Sequence, residues 1–132
     1  MTIKEVVLLY DIMSEGNVKR IENTCHDLHV ELKKVRPDEY RVPVGFLAYG
    51  TDDQKKEYMN GDDPLPALDK PMMVLAGFSD ERLYMFMEEL QRHNAPYVAL
   101  KAVLTEYNAV WDSLELFEEL KKENEFMQNP FS

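Results

Sequence analysis

Glu22, His26 and His29 stand at i, i+4 and i+7, a spacing that sets a carboxylate and two imidazoles along one face of a helix. Three such ligands suit a divalent metal with one position left for water. Helical rise separates Glu22 from His29 by roughly 10 Å, too far to close on one ion without distortion. His26 and His29 therefore stand only as weak metal candidates, and two histidines near a helix C-terminus also interact with its dipole without a metal. The one cysteine, Cys25, falls on the apolar stripe of that helix, where a thiol is expected to be buried and inert. Asp38-Glu39, Asp52-Asp53 and Asp62-Asp63 pair carboxylates that are adjacent in sequence, which in loops means solvation more often than acid–base work. Neither Asp11-Ile12-Met13-Ser14 nor Gly77-Phe78-Ser79-Asp80 has the glycines and lysine of a phosphate loop, and their acidic residues repel phosphate. No catalytic set and no cofactor is expected. The remaining chemistry lies in Thr105, Tyr107 and Asn108, just past the end of an expected strand, where open α/β sheets place ligand crevices. Asp11 and Tyr40 are expected to reach the same end from the first half, giving five ligand-binding candidates.

The elements that must position these residues read clearly. Val6-Val7-Leu8-Leu9-Tyr10 and Met72-Met73-Val74-Leu75-Ala76 are unbroken apolar runs of strand length, the pattern of strands covered on both faces. Each precedes a serine able to cap a helix, Ser14 and Ser79, with acidic residues in the first turn. Val18, Ile21, Cys25 and Leu28 make the stripe of the first helix, and Leu83, Phe86 and Leu90 that of the second. Residues 43–49 read as a short helix opened by Pro43 in preference to a strand. A last helix is expected from about Ala109 to Asn124, with Thr105 or Asn108 as its cap. Phe126, Met127 and Phe131 follow it and are expected to cover the core or a partner subunit.

The chain repeats itself. Val30-Glu31-Leu32-Lys33-Lys34-Val35 returns as Val98-Ala99-Leu100-Lys101-Ala102-Val103, and Glu39-Tyr40 as Glu106-Tyr107. Ser14 to Ser79 is an offset of 65 and Val30 to Val98 one of 68, so three extra residues are expected around His93-Asn94-Ala95-Pro96. Residues 3–49 and 71–125 then form two β-α-β-α units of a single domain. Residues 50–70, with turn signals and Pro64-Leu65-Pro66, join them as a linker or a lid. The expected fold is α/β, about four mostly parallel strands with helices packed on the sheet. A ferredoxin-like α+β sandwich is the alternative if residues 43–49 form a strand.

Gly77-Phe78-Ser79-Asp80-Glu81, Leu100-Lys101-Ala102-Val103, Thr105, Asn108, Trp111, Leu114 and Glu118-Glu119-Leu120 with Glu123 are similar to an uncharacterised bacterial family, the domain of unknown function DUF3783. The resemblance covers about residues 71–123 and brings no activity, ligand or catalytic residue.

Composition bounds the partners. The 132 residues carry a formal charge of −10 at pH 7, which opposes binding to nucleic acid or to an anionic membrane surface. No apolar stretch approaches the roughly 20 residues of a membrane span. One cysteine excludes an internal disulfide and fits a reducing cytoplasm. These features point to a small cytoplasmic binding or regulatory module whose partner is a second copy of itself, another protein or an unknown small molecule. A small hydrolase or metal-dependent enzyme using the crevice is the alternative.

Overall fold

Five consecutive apolar residues can be buried on both faces only in the middle of a sheet, and both such runs are found there. The computed structural model describes residues 3–10, 14–59, 65 and 68–128, with side chains as far as residue 124. In chain order the elements are β1 (Val6–Tyr10), α1 (Glu15–Asp27), β2 (Glu31–Lys34), a 3₁₀ turn (Pro37–Glu39), α2 (Val44–Tyr49) and α3 (Asp52–Lys56). There follow β3 (Met72–Ala76), α4 (Asp80–Arg92), β4 (Leu100–Val103), a second 3₁₀ turn (Asn108–Val110) and α5 (Ser113–Gln128). The sheet order is β2-β1-β3-β4. β1 and β2 run parallel, as do β3 and β4, while the central pair β1 and β3 is antiparallel with Leu8 opposite Val74.

Alternation along the strands divides the interior in two. Val6, Leu8, Tyr10, Met72, Val74 and Ala76 face α2 and α5. Val7, Leu9, Met73 and Leu75 face α1 and α4 through Ile21, Cys25 and Phe86. The mostly parallel α/β sheet is therefore as the sequence implies. Residues 43–49 contain the helix α2, so the ferredoxin-like alternative falls away.

The two halves use the same local devices. Ser14 and Ser79 accept hydrogen bonds from the backbone N–H groups of Asn17 and Arg82, closing the first turns of α1 and α4. Both helices end alike, each followed by a left-handed residue, His29 (φ 58) and Asn94 (φ 55). Val30 N–H donates to Cys25 and His29 N–H to His26, and Ala95 N–H to Leu90 and Asn94 N–H to Gln91, the paired bonds of a Schellman motif. The offset of 65 thus holds from cap to cap. It does not become 68 in the next strand. Val6 pairs with Glu31 and Met72 with Leu100, so β2 and β4 correspond at an offset of 69: the connection from α4 to β4 is four residues longer than that from α1 to β2, while the turn from β3 to α4 is one residue shorter than that from β1 to α1. Lys33 then matches Ala102, and it faces the α2 side while Lys101 faces the other. A slip of one residue reverses every side chain in a strand. Lys33 donates to the Leu47 and Ala48 carbonyls at the end of α2, whereas the Lys101 amine turns back to the Val98 carbonyl at 2.6 Å.

The last helix starts later than its apolar stripe suggests. Ala109 and Val110 belong to a 3₁₀ turn, and α5 begins at Ser113 with the Asp112 carboxylate accepting the Glu115 N–H at 2.9 Å. Thr105 and Asn108 instead bond each other across the turn that leads into the 3₁₀ turn. The start of α5 is pinned by a buried pair, the Tyr10 hydroxyl and the Ser113 hydroxyl at 2.6 Å. Burial pushes the Tyr10 phenol far above its ordinary range, partly offset by this bond. Val44 N–H to the Trp111 carbonyl and Ser113 N–H to the Tyr40 carbonyl tie the halves together on the same face. In the connection, α3 is closed by a capping box between Thr51 and Gln54, and Leu68 returns to the core, 6% exposed.

Two stability outcomes follow from these devices. His29 holds a conformation that costs an L-residue about 1 kcal/mol, so His29→Gly should stabilise the fold by up to that amount in urea unfolding. Tyr10→Phe leaves a buried serine hydroxyl without its partner and should cost about 1–3 kcal/mol. Tyr10→Phe combined with Ser113→Ala should cost clearly less than the sum of the single changes, which a double-mutant cycle measures.

Candidate functional site

The antiparallel seam decides where the expected site residues lie. Tyr10 at the end of β1 is opposite Met72 at the start of β3, while Val103 at the end of β4 sits beside Leu75, at the other end of the sheet. Tyr40 packs beside Tyr10 with ring centroids 5.9 Å apart, is 3% exposed, and accepts the Leu68 N–H at its hydroxyl. It is a core residue at the Tyr10 end. Thr105, Tyr107 and Asn108 follow β4 at the opposite end, so no single crevice gathers them with Tyr40. Asp11 lies outside the described residues, as do Asp62, Asp63 and Phe131; the side chains of Phe126 and Met127 do too.

Thr105 and Asn108 act on each other. The Thr105 N–H donates to the Asn108 side-chain oxygen at 2.8 Å, and the Asn108 N–H donates to the Thr105 hydroxyl at 3.2 Å. The Asn108 amide also donates to the Val103 carbonyl at 3.0 Å. Leu104 N–H bonds inward to Leu75, so alternation turns the Val103 carbonyl outward along the free edge of β4. Asn108 therefore blunts a sheet edge and starts the 3₁₀ turn. Tyr107 is 76% exposed and Tyr40 is buried, so Glu39-Tyr40 and Glu106-Tyr107 are alike in sequence and unlike in surroundings.

At this end of the sheet the surface is concave and apolar. Pro43, Phe46, Tyr49, Tyr58, Ala109 and Val110 line a groove of about 530 Å³ between α2, α3 and the second 3₁₀ turn. A second hollow of about 440 Å³ adjoins it, sharing Tyr49 and Ala109 and reaching Ile3, Phe78 and Thr105. Two glycines permit this shape. A Cβ on Gly45 would stand 3.0 Å from the Ala109 Cβ, so α2 could not approach the turn as closely. Gly77 has φ +82, and a side chain there would collide with the Lys4 carbonyl and meet the Tyr49 hydroxyl at 2.6 Å. The Tyr49 hydroxyl donates to that Lys4 carbonyl at 2.7 Å, which fixes the ring as a wall of both hollows. Partial burial, reinforced by Glu5, raises its phenol above the ordinary value. Val110 is 74% exposed, and Ile3 and Tyr58 are exposed nearby. No pattern within a single segment points to this surface, because Tyr49, Tyr58 and Val110 come from three separate segments.

The histidine face expected on α1 does not assemble. Helix α1 ends at Asp27, so His29 lies beyond it in the left-handed turn. Glu22 pairs instead with Lys34 at 2.6 Å and with Lys19, and the Lys34 bond lowers its carboxyl below the ordinary value. The acidic and basic groups that do meet across α1 and α4 are Asp27, Glu89 and His93. Cys25 is buried as expected, and desolvation pushes its thiol from 9.0 up to about 12.

These residues define an α/β protein with a mixed four-stranded sheet and an apolar groove at one end of it. Residues 71–127, from the residue before β3 into α5, match the family model of a domain of unknown function, DUF3783. No curated protein and no solved structure matches the chain. Among the described residues no helix is long and apolar enough to cross a membrane.

The buried thiol sets an alkaline limit. The unfolded chain ionises Cys25 near pH 9 and the folded chain only near pH 12, so the unfolded state sheds the proton first. Stability should be unaffected by this group below pH 9 and fall by up to about 1.4 kcal/mol per pH unit above it. Urea unfolding of the wild type and of Cys25→Ala between pH 8 and pH 11 isolates this slope from that of the buried Tyr10.

Proposed function

We propose that the chain is a binding module that docks a partner protein through the groove bounded by α2, α3 and the Asn108–Val110 turn. The observation that supports this is the convergence of Tyr49, Tyr58 and Val110, from separate elements, on one solvent-facing hollow. Exposed aromatic and aliphatic side chains around a preformed concavity are what a partner's anchoring side chains fill. The Tyr49 wall is held by its bond to Lys4, so the groove exists before binding and costs little ordering.

Charge suggests the character of the partner. The chain carries −10, and a further hollow following Val110 in sequence is lined by Trp111 and Leu114 with Glu115, Glu118 and Glu119. A segment with apolar anchors and flanking Lys or Arg suits both features, the cations meeting carboxylates and the Trp111 face. A second copy of the same acidic chain meets like charge, so a different protein is favoured over a homodimer. The free, buried thiol fits action in a reducing cytoplasm.

Selection of displayed peptides on the purified protein tests this reading. Enriched peptides should carry aromatic or branched aliphatic anchors beside basic residues, and Val110→Asp should weaken them by about tenfold or more with the melting temperature unchanged. Binders indifferent to Val110→Asp, or no enrichment, would contradict it.

A further inference from the structure

We propose that Asp27, Glu89 and His93 form a binding site for a divalent transition metal where the last residue of α1 meets the C-cap of α4. His93 Nε2 lies 2.9 Å from Asp27 Oδ2 and 3.9 Å from Glu89 Oε2. The three ligand atoms all fall within 4.8 Å of one another. Ligands about 2.1 Å from a tetrahedral ion are separated by about 3.4 Å, so the three atoms need to move only a few tenths of an ångström to about 1 Å to share one.

Three further features favour a cation at this point. The site is built on two different helices, with His93 and Glu89 only 24% and 22% exposed, so two of its ligands are partly held by packing. Glu89 turns its other oxygen, Oε1, to Arg92 at 3.1 Å, which orients the carboxylate while leaving Oε2 toward His93. Arg92 also repels a dication and sets a limit on affinity. Asp27 stands between two histidines, its Oδ1 lying 3.8 Å from His26 Nδ1. The exposed His26 lies outside the cluster of three ligand atoms. Two carboxylates neutralise a dication, and an imidazole with carboxylate oxygens selects Zn²⁺ or its first-row neighbours over Mg²⁺. Bound there, the ion replaces the direct contact between Asp27 and His93 as a tie between α1 and α4. The site lies on the face of the sheet opposite α2, so it is independent of the groove.

Calorimetric titration of the untagged, chelator-treated protein with ZnCl₂, and with MgCl₂ as control, tests the proposal. One equivalent of Zn²⁺ should bind and raise the melting temperature, with no response to Mg²⁺. Glu89→Gln and His93→Gln should each weaken Zn²⁺ by at least about tenfold, while His29→Ala leaves it unchanged. Substituting Co²⁺ should give visible absorption bands that Glu89→Gln removes. Circular dichroism of each variant in chelator shows that it is folded. No Zn²⁺ binding by the wild type, or binding that survives both Glu89→Gln and His93→Gln, overturns the site.

Discussion

The antiparallel pairing of β1 with β3 is the constraint on which the rest of the structure depends. Each strand is five apolar residues long with no polar face to show to water, so each needs a strand on either side and a helix layer above and below. Pairing them with each other at the centre satisfies both at once. It leaves β2 and β4, half-buried and lysine-bearing, as the outer strands. Once Leu8 faces Val74, the two parallel halves point in opposite directions, and every turn that follows a strand in one half lies at the other end of the sheet from its counterpart.

Polar groups then secure what the apolar core only collects. Arg82 donates from Nε and Nη2 to both Glu5 carboxylate oxygens, with the shortest bond at 2.7 Å, and once to the Leu28 carbonyl, joining α4 to the entry of β1 and the end of α1. Its partners are partly buried, where a bidentate pair is worth more than an exposed one. Tyr10 and Ser113 do the same for α5, and Lys33 for α2. The free edge of β4 is closed by Asn108 rather than by another strand. The groove around Tyr49 is what these placements leave open: the β3 turn at Gly77, the end of α2 and the second 3₁₀ turn meet there with no covering element among the described residues.

Much of this was legible in the residues. The two apolar strands, the Ser14 and Ser79 caps, the stripes of α1 and α4, the burial of Cys25 and the helix at 43–49 follow from patterns within single segments. What escaped depended on pairing between segments. The likeness of Val30–Val35 to Val98–Val103 is a likeness of letters one residue out of register, since local composition does not fix how a strand aligns with its neighbour. The direction of β1 against β3 is equally invisible locally, and it separates Tyr40 from Thr105 and Asn108. Asp112, not Thr105 or Asn108, caps α5, because the turn closed by Thr105 and Asn108 runs into a 3₁₀ turn before the helix begins. His93 drew notice only as a loop residue, and its partner Asp27 sits on a different helix. The groove residues share no sequence signal at all.

The functional consequence is that the two ends of the sheet are different surfaces. At the Tyr10 end, Tyr40, Leu68 and Ser113 close over the strands and bury them. At the Val6 end, glycines and exposed aromatic side chains leave a hollow. A crevice that gathers the segments following β1 and β4 at one end would require the strands to point the same way. Cross-strand NOE spectroscopy on labelled protein tests that arrangement most directly. Hα–Hα contacts between β1 and β3, with the pairs stepping in opposite directions from Leu8 and Val74, are the predicted result. Contacts stepping in the same direction along both strands, or β1 and β3 without contact, would contradict the account and return Tyr40 and Asn108 to one end.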